Sequence, residues 1–540
     1  MTEPTFHEQF AAVLHGLDVD VVFGVMGDAN MYVADSFTAL PGTRFVSSAH
    51  EGGAVLMAAG YAAVTERVGV ATVTHGAIAN CVSALFDAVR GRYPVLVIAG
   101  NTSRQEGQHL QNIPQREVVA PTGAEYRQVR SPATAALDLA AALRSAVTQR
   151  RPVVLDIPSD FQSATCTMAQ LRSPVIGDGA IHPSRSALEE AAGVIIGSSR
   201  PLLIAGRGGR GAETELRKLA ERMGAPVATT LRGKGLFHDD PHLVGICGTL
   251  SNPIASEVIG RCDCMVVVGA SLTALTTLKG ELLEGKRVVQ VDEDPSALGR
   301  FFPPDVGIVG DAALTAHALI DILDEAEASV STFRSADLAA RTQEFRRADR
   351  ASSTQDSALT LPGVLHRVNE MVTADRSLVI DGGRFSHEAL RIMDVRHPTR
   401  YAHGLNVGHI GLGVGYGIGA AIGRPEAPSL VVAGDGGFML GGLTEFNTAV
   451  RHHANLVVLL LNDGAYGAEY YRFVQLGLDP RNTTFNWPNF AELAVALGGR
   501  GARVTDWSGL DRVPDLLAEP GPLLIEVVLD PSTIADPGEH

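Results

Sequence analysis

Short apolar runs recur along the chain, most of them ending at Gly, Pro, Asp or Asn, with amphipathic stretches between them. In the first third, runs at 21–23, 43–47, 70–73, 95–98 and 153–157 have the length and Val/Ile content of buried strands. Stretches 6–17, 53–65 and 79–90 have helical length and spacing. The alternation returns with strands at 201–205, 227–229, 265–268 and 288–291 behind a helix at 184–196. It returns once more with strands at 377–380, 429–433, 456–461 and 523–528. A polar, Arg- and Ala-rich stretch at 326–358 reads as a helical linker between the last two blocks. Strands alternating with helices predict parallel sheets covered on both faces. The expected fold class is therefore α/β, with three doubly wound parallel-sheet domains at 1–170, 185–325 and 360–540. The blocks are alike in pattern, but no literal short-period repeat is present.

Composition agrees with this division, since 540 residues exceed what one core holds and predict three domains, four at most. Apolar content of 45% with 19% charged residues is that of a globular protein, and the sparse aromatics (5%) beside abundant Ala, Val and Gly suit tightly packed α/β layers. The net charge of −16, without any basic tract, excludes nucleic acid as a partner. No apolar run is long enough for a membrane span, and Met-Thr-Glu-Pro does not open like a signal peptide. The five cysteines are an odd, scattered set that fits a reducing cytoplasm, with Cys262-Asp-Cys264 read as buried thiols rather than a metal site.

The most chemically pointed segment is Gly434-Asp435-Gly436-Gly437, paired with Asn462-Asp463-Gly464. Asp435 follows the strand 429–433 and Asn462 follows the strand 456–461, with a helix at 443–450 between them. In such a βαβ unit both strands end on one side, so the two residues converge on the crevice where open α/β sheets hold ligands. A carboxylate, an amide oxygen and a carbonyl (Asp435, Asn462, Gly464) are hard ligands for Mg²⁺ that also takes phosphate oxygens, and Gly436 and Gly437 admit phosphate to the backbone. The competing reading is two strand-end turns with ordinary caps. Asp381 to His387 follows a strand and should open a helix whose free N–H groups suit a phosphate. The glycine-rich stretch 408–421 is either a close-packed helix or a place where backbone approaches a flat ring. Gly206-Arg-Gly-Gly-Arg-Gly211 has the look of a dinucleotide loop but lacks an acidic strand end about 20 residues on, so a plain turn is the better reading. No Gly-Lys-Ser/Thr phosphate loop is present, which excludes that class of nucleotide hydrolase. His50-Glu51 stands before a helix, where a carboxylate is favoured by the dipole alone.

Taken together, these motifs resemble the thiamine-diphosphate-dependent enzymes, in particular the acetolactate synthase-like branch. The resemblance rests on the Asp435–Asn462 pair, on Ser48-Ala-His-Glu51-Gly-Gly, on Gly408 to Ala421, on Gly224 to Gly235, on Gln290 to Pro295 and on Arg151 to Asp160, and it spans roughly 5–530. It implies a pyrimidine-binding first domain, a middle domain and a diphosphate-binding last domain, with thiamine diphosphate and Mg²⁺ as cofactors. It implies that Glu51 bonds the pyrimidine ring, that Val414 bends the cofactor, and that Gln111 points into the active site. Gly27, Gly383, Arg384, Phe385, Ser386, Gly408, Gly436, Gly437 and Tyr466 complete the cofactor set so implied. It also implies a homodimer or homotetramer with sites at the subunit interface, Glu51 and Asp435 coming from different chains.

The implied reaction is decarboxylation of a 2-oxo acid with transfer of the acyl unit to a second carbonyl acceptor. The alternative is a simple 2-oxo acid decarboxylase or C–C lyase, of benzoylformate decarboxylase or 2-hydroxyacyl-CoA lyase type. A binding paralogue without catalysis is a further class, against which the retained Glu51 and metal ligands count. Several departures bear on the choice. Val268-Gly-Ala-Ser-Leu-Thr lacks the Arg that acetolactate synthases carry after this strand, and Pro121-Thr-Gly-Ala124 lacks their Lys. Both changes count against acetolactate specificity and against FAD in the middle domain. Thr74-His75-Gly76 places a histidine where those enzymes have none, open to acid–base work or to a structural role. In Phe23-Gly-Val-Met-Gly27, Met26 stands where the family has Pro, which predicts a looser turn.

Overall fold

The computed structural model describes residues 4–533 apart from 107, 170, 172–178 and 354–357. The end of the expected linker and the last stretch of the third domain, 534–540, lie outside the described residues. Three six-stranded sheets carry the fold. The first holds β1 (Val21–Gly24), β2 (Arg44–Ser47), β3 (Gly69–Val73), β4 (Val95–Asn101), β5 (Glu125–Gln128) and β6 (Val153–Pro158), in the order 2-1-3-4-6-5. The second holds β7 (Pro201–Ala205), β8 (Val227–Thr229), β9 (Leu243–Ile246), β10 (Cys264–Val268), β11 (Arg287–Asp292) and β12 (Val306–Val309), in the order 12-11-10-7-8-9. The third holds β13 (Ser377–Ile380), β14 (Tyr401–His403), β15 (Ser429–Gly434), β16 (Leu456–Asn462), β17 (Arg500–Val504) and β18 (Leu523–Val528), in the order 14-13-15-16-18-17. Neighbouring strands run parallel, as in β1–β3, β10–β7 and β15–β16. The expected α/β class with three parallel-sheet domains is therefore correct. The first and third sheets share one compact unit and the second forms another.

Counted within its own block, the third sheet repeats the first, and the second has the dinucleotide-fold order 3-2-1-4-5-6. In that second sheet the crevice between β7 and β10 is occupied by backbone. Gly206 N donates to Val268 O (2.8 Å), Gly208 N donates to Gly269 O (3.1 Å), and a Cβ on Gly208 would stand 2.7 Å from the Gly269 Cα. Gly206 and Gly208 thus serve loop-to-loop packing.

Interior strands are apolar and buried along their length, because both faces are covered by helices. In the first unit, helices Glu51–Thr65 and Gly413–Gly423 cross with backbones in contact. A side chain on Gly60 would collide with the Tyr416 carbonyl, and one on Gly419 with the Met57 carbonyl. The close-packed-helix reading of 408–421 is the observed one from Gly413 onward. The linker contains a long helix, Ala336–Ser353. The helix read at 79–90 begins as a 3₁₀ segment, Ala77–Cys81, and continues as Val82–Gly91. All five cysteines are free, and burial pushes the Cys262 and Cys264 thiols up to about 12. Among the described residues, no helix is long and apolar enough to cross a membrane.

Candidate active site

In the third sheet the strand order reverses between β13 and β15, and the residues after both strands are aspartates. Asp381, buried, accepts N–H groups from Gly382 (2.8 Å), Gly411 (3.0 Å) and Leu412 (3.2 Å), which ties the glycine-rich loop to the end of β13. Burial pushes its carboxyl up to about 6 against the pull of those donors. The register of β15 on β16, Gly434 opposite Leu461, brings Asp435 level with Asn462. Asp435 is 2% exposed, and it accepts from Gly436 N (2.8 Å) and from Trp487 Nε1 (2.9 Å). Its carboxyl is pushed by burial to about 6. Asp463 is pushed to about 7 by burial and by the charge of Asp435.

Asn462 donates from Nδ2 to the buried Glu526 (2.8 Å), while its Oδ1 accepts from Gly464 N (3.1 Å). Glu526 therefore decides which end of the amide is oxygen. A buried acid beside a half-buried one, with an amide oxygen fixed by a carboxylate behind it, forms a donor set short of positive charge. That set fits a hard divalent cation. Among the described residues no group of three His, Cys, Asp or Glu side chains forms a metal cluster, so the cation would rely on amide, carbonyl and phosphate oxygens beside Asp435.

Around this pair, the Tyr466 ring lies against Gly436, where a Cβ would stand 2.5 Å from the ring. Tyr466 meets Phe485 edge-on (4.7 Å), and Phe485 stacks on Trp487 (4.6 Å). The Arg384 guanidinium lies over Tyr471 (4.6 Å) and donates to Pro531 O (3.1 Å). Gly383 has φ +152°, and its carbonyl accepts the Ser386 N–H (3.0 Å). The helix expected after Asp381 starts at Ser386 with that first N–H already engaged. Phe385 packs under Gly383 and Gly434. Gly408 has φ +76° and open space beside it. Val414 is buried in the helix crossing, with its side chain against Gly442.

The first sheet reverses between β1 and β3, and here stand the turn Gly24–Gly27 and the pair Thr74-His75. Met26 in this turn is half exposed. Asn30 Oδ1 accepts from Gly27 N (2.8 Å), and its Nδ2 donates to Val25 O (3.0 Å) and Thr72 Oγ1 (3.2 Å), so one buried amide ties the turn. A Cβ on Gly27 would meet Thr74 at 2.7 Å. Glu51 opens its helix and accepts from Asn80 Nδ2 (2.9 Å). His50 is the helix cap, its Nδ1 accepting from Gly52 N (3.0 Å).

His75 is 6% exposed, and its ring stands 5.0 Å from that of His109. Burial, then the neighbouring His109, holds its imidazole below the usual histidine range. Gln111 N donates to His109 Nδ1 (3.2 Å), so neutral His109 carries its proton on Nε2, the atom 3.9 Å from Glu106.

The structure thus gathers Asp435, Asn462, Gly464, Gly436 and Tyr466 at one sheet end, and Gly27, His75 and Gln111 at another. Sequence reasoning missed Trp487, Glu526, Asn30 and His109. Glu526 had a signal, a carboxylate inside the apolar strand Leu523–Val528. Trp487 had a weaker one, as one of only two tryptophans in the chain.

Comparison with known proteins matches three family models along the chain. They are the thiamine pyrophosphate enzyme N-terminal TPP binding domain at 4–121, central domain at 188–319 and C-terminal TPP binding domain at 381–527. A probable 2-ketoarginine decarboxylase of Pseudomonas aeruginosa is 30% identical over 535 residues, 97% of this chain and 94% of that one. An acetolactate synthase of Mycobacterium leprae is 30% identical over 509 residues, 91% of this chain and 81% of that one. The chloroplastic acetolactate synthase 1 of Nicotiana tabacum is 26% identical over 534 residues, 94% of this chain and 79% of that one. With its three parallel-sheet domains and matches of this length, the chain belongs to the thiamine pyrophosphate enzyme family, in its acetolactate synthase-like branch.

Proposed function

We propose that this enzyme decarboxylates a 2-oxo acid and releases the product after protonation, rather than passing the acyl unit to a second carbonyl. The observation that carries this reading is the His75–His109 pair, with Gln111, at the switch point of the first sheet. Two imidazoles side by side, the His75 ring held by burial below the usual histidine range, are placed to pass a proton, which suits release of an aldehyde. The missing Arg after Val268-Gly-Ala and the missing Lys after Pro121 remove features that acetolactate synthases carry, and the Pseudomonas relative bears the name of a decarboxylase.

When bound, thiamine diphosphate supplies an electron sink for the bond that breaks as carbon dioxide leaves. Asp435, Asn462 and the Gly464 carbonyl would hold Mg²⁺ and through it the diphosphate, with Gly436, Gly437 and Gly383 to Ser386 lining the backbone around it. Glu51 would hold a proton at the pyrimidine ring. Glu51 and Asp435 would meet across two copies of the chain.

The test is carbon dioxide release from a panel of 2-oxo acids with Mg²⁺ and thiamine diphosphate, with products identified in the presence and absence of an aldehyde acceptor. Free aldehyde should dominate in both conditions. Glu51→Gln should lower turnover by roughly 10²–10⁴ and His75→Ala by a similar factor. Acceptor-dependent formation of a hydroxyketone as the main product, or wild-type turnover of His75→Ala, would overturn the assignment.

A further inference from the structure

Glu51 projects from a short stretch of backbone whose N–H groups are taken up one by one. Ser47 N donates to His452 Nε2 (3.0 Å), Ser48 N to Gly24 O (3.0 Å), Ala49 N to Glu445 Oε2 (3.2 Å) and His50 N to Glu445 Oε1 (3.0 Å). Three of these four acceptor atoms lie on or just after a single helix of the third domain, Leu443–Arg451. That helix continues directly from the turn Asp435–Gly437 through a five-residue π turn, Phe438–Gly442. Glu445 is only 2% exposed, and its Oε2 also accepts from Thr448 Oγ1 (2.8 Å). Glu445 makes no salt bridge among the described residues; two backbone amides and a hydroxyl share its charge at the positive end of the Glu51 helix. Room for it is made by Gly53, where any side chain would overlap the Glu445 carboxyl.

An acid buried in this way serves the geometry of what it grips. Two adjacent amides that diverge need an acceptor with two oxygens, which a carboxylate provides and a carboxamide only half provides. We propose that Glu445 is a positioning residue, whose carboxylate sets the backbone at 49–50 and thereby the place from which Glu51 offers its own carboxyl. The inference rests on the reading of Glu51 as the group that holds a proton at the pyrimidine ring. It also gives Gly53 a reason to be glycine, and it joins the segment after Asp435 to the segment before Glu51 within one chain.

The experiment compares Glu445→Gln, Glu445→Ala, Gly53→Ala and the double variant Gly53→Ala/Glu445→Ala with wild type and with Glu51→Gln. Turnover, KM, affinity for Mg²⁺–thiamine diphosphate, melting temperature and hydrogen exchange at amides 49 and 50 are read on each. Glu445→Gln should lose roughly 10- to 100-fold in kcat, the scale of a misplaced catalytic group, with KM and cofactor affinity within about twofold of wild type. Exchange at amides 49 and 50 should quicken at least about tenfold in both Glu445 variants. Gly53→Ala should match Glu445→Gln, and the double variant should be no worse than Glu445→Ala alone, because removing the carboxyl frees the space the new methyl needs.

Unchanged exchange at both amides in Glu445→Ala overturns the proposal whatever the activity. So does a fall in kcat that merely tracks lost folded or cofactor-loaded protein. If Glu51→Gln turns over like wild type, the reading of Glu51 falls instead, and the exchange result still decides whether Glu445 holds this backbone.

Discussion

A hydrogen bond from an indole to a carboxylate bears directly on the proposed role of Asp435 in holding the cofactor. Trp487 Nε1 donates to Asp435 Oδ2 (2.9 Å), while the ring stacks on Phe485 at 4.6 Å and 21°. Asp435 is buried and its carboxyl is already pushed up, so each donor that helps keep it ionised matters to a cation. Trp487→Phe keeps the stack and removes the donor. The loss of one such bond costs about 0.5–1.5 kcal/mol, which is roughly 2- to 10-fold weaker retention of Mg²⁺–thiamine diphosphate. The measurement is equilibrium binding of the cofactor to the variant. Because Trp487 and Trp507 are the only tryptophans, the intrinsic fluorescence change on binding should vanish in Trp487→Phe and survive in Trp507→Phe. Equal affinity for variant and wild type would mean that the indole braces the loop and does nothing for the acid.

At the scale of elements, glycines in helices divide into two kinds that composition does not separate. Gly419 lies where a methyl would run into the Met57 carbonyl across the helix crossing, and backbone on backbone leaves nothing to yield. Gly193 sits exposed in the helix Arg185–Ile196 with nothing within 4 Å. Gly419→Ala should therefore destabilise the protein by about 1–3 kcal/mol. Gly193→Ala should be neutral or stabilise it by about 0.5–1 kcal/mol. Denaturant unfolding of the two variants checks the opposite signs.

The same contrast explains how far the fold could be read beforehand. The interior strands are mainly apolar and buried, some, such as Leu456–Leu461 or Cys264–Val268, without a break, and each was anticipated. The unanticipated strands are edges of their sheets: Glu125–Gln128, Leu243–Ile246, Val306–Val309, Tyr401–His403 and Arg500–Val504. An edge strand has one neighbour and a face toward solvent, so Glu-Tyr-Arg-Gln or Arg-Gly-Ala-Arg-Val carries no continuous apolar signal. Asp435 and Asn462 were legible because they end interior strands. Trp487 and Glu445 were not, since each acts on a partner far away in the chain and only packing brings them together, and Asn30 was not because turn asparagines are common and its tie to Thr72 is also long-range.

For the whole molecule, the repeated strand order of the first and third sheets places two switch points in one compact unit, one with Gly27 and His75, the other with Asp381 and Asp435. Glu51 finds Asn80 beside it, and its neighbours at 49 and 50 are held by Glu445 of the same chain. Leu110, Leu440, Val474, Leu476 and Leu478, all of this unit, are half or more exposed, a large apolar surface for a protein that works alone. The two-fold pair proposed above, in which each site would draw Glu51 from one copy and Asp435 from the other, would cover such a surface. Such a pair makes a sharp demand on mixtures. Glu51→Gln and Asp435→Ala should each be inactive as pure proteins. Unfolded together in equal amounts and refolded with cofactor, half of the dimers should be mixed, and each mixed dimer should hold one intact site and one doubly damaged one. Activity should then return to roughly a quarter of wild type. Mixing without dissociation should restore nothing, which separates true subunit exchange from contamination. If the refolded mixture stays inactive while wild type refolded in the same way recovers, the two residues do not meet across copies of the chain, and the shared-site reading falls.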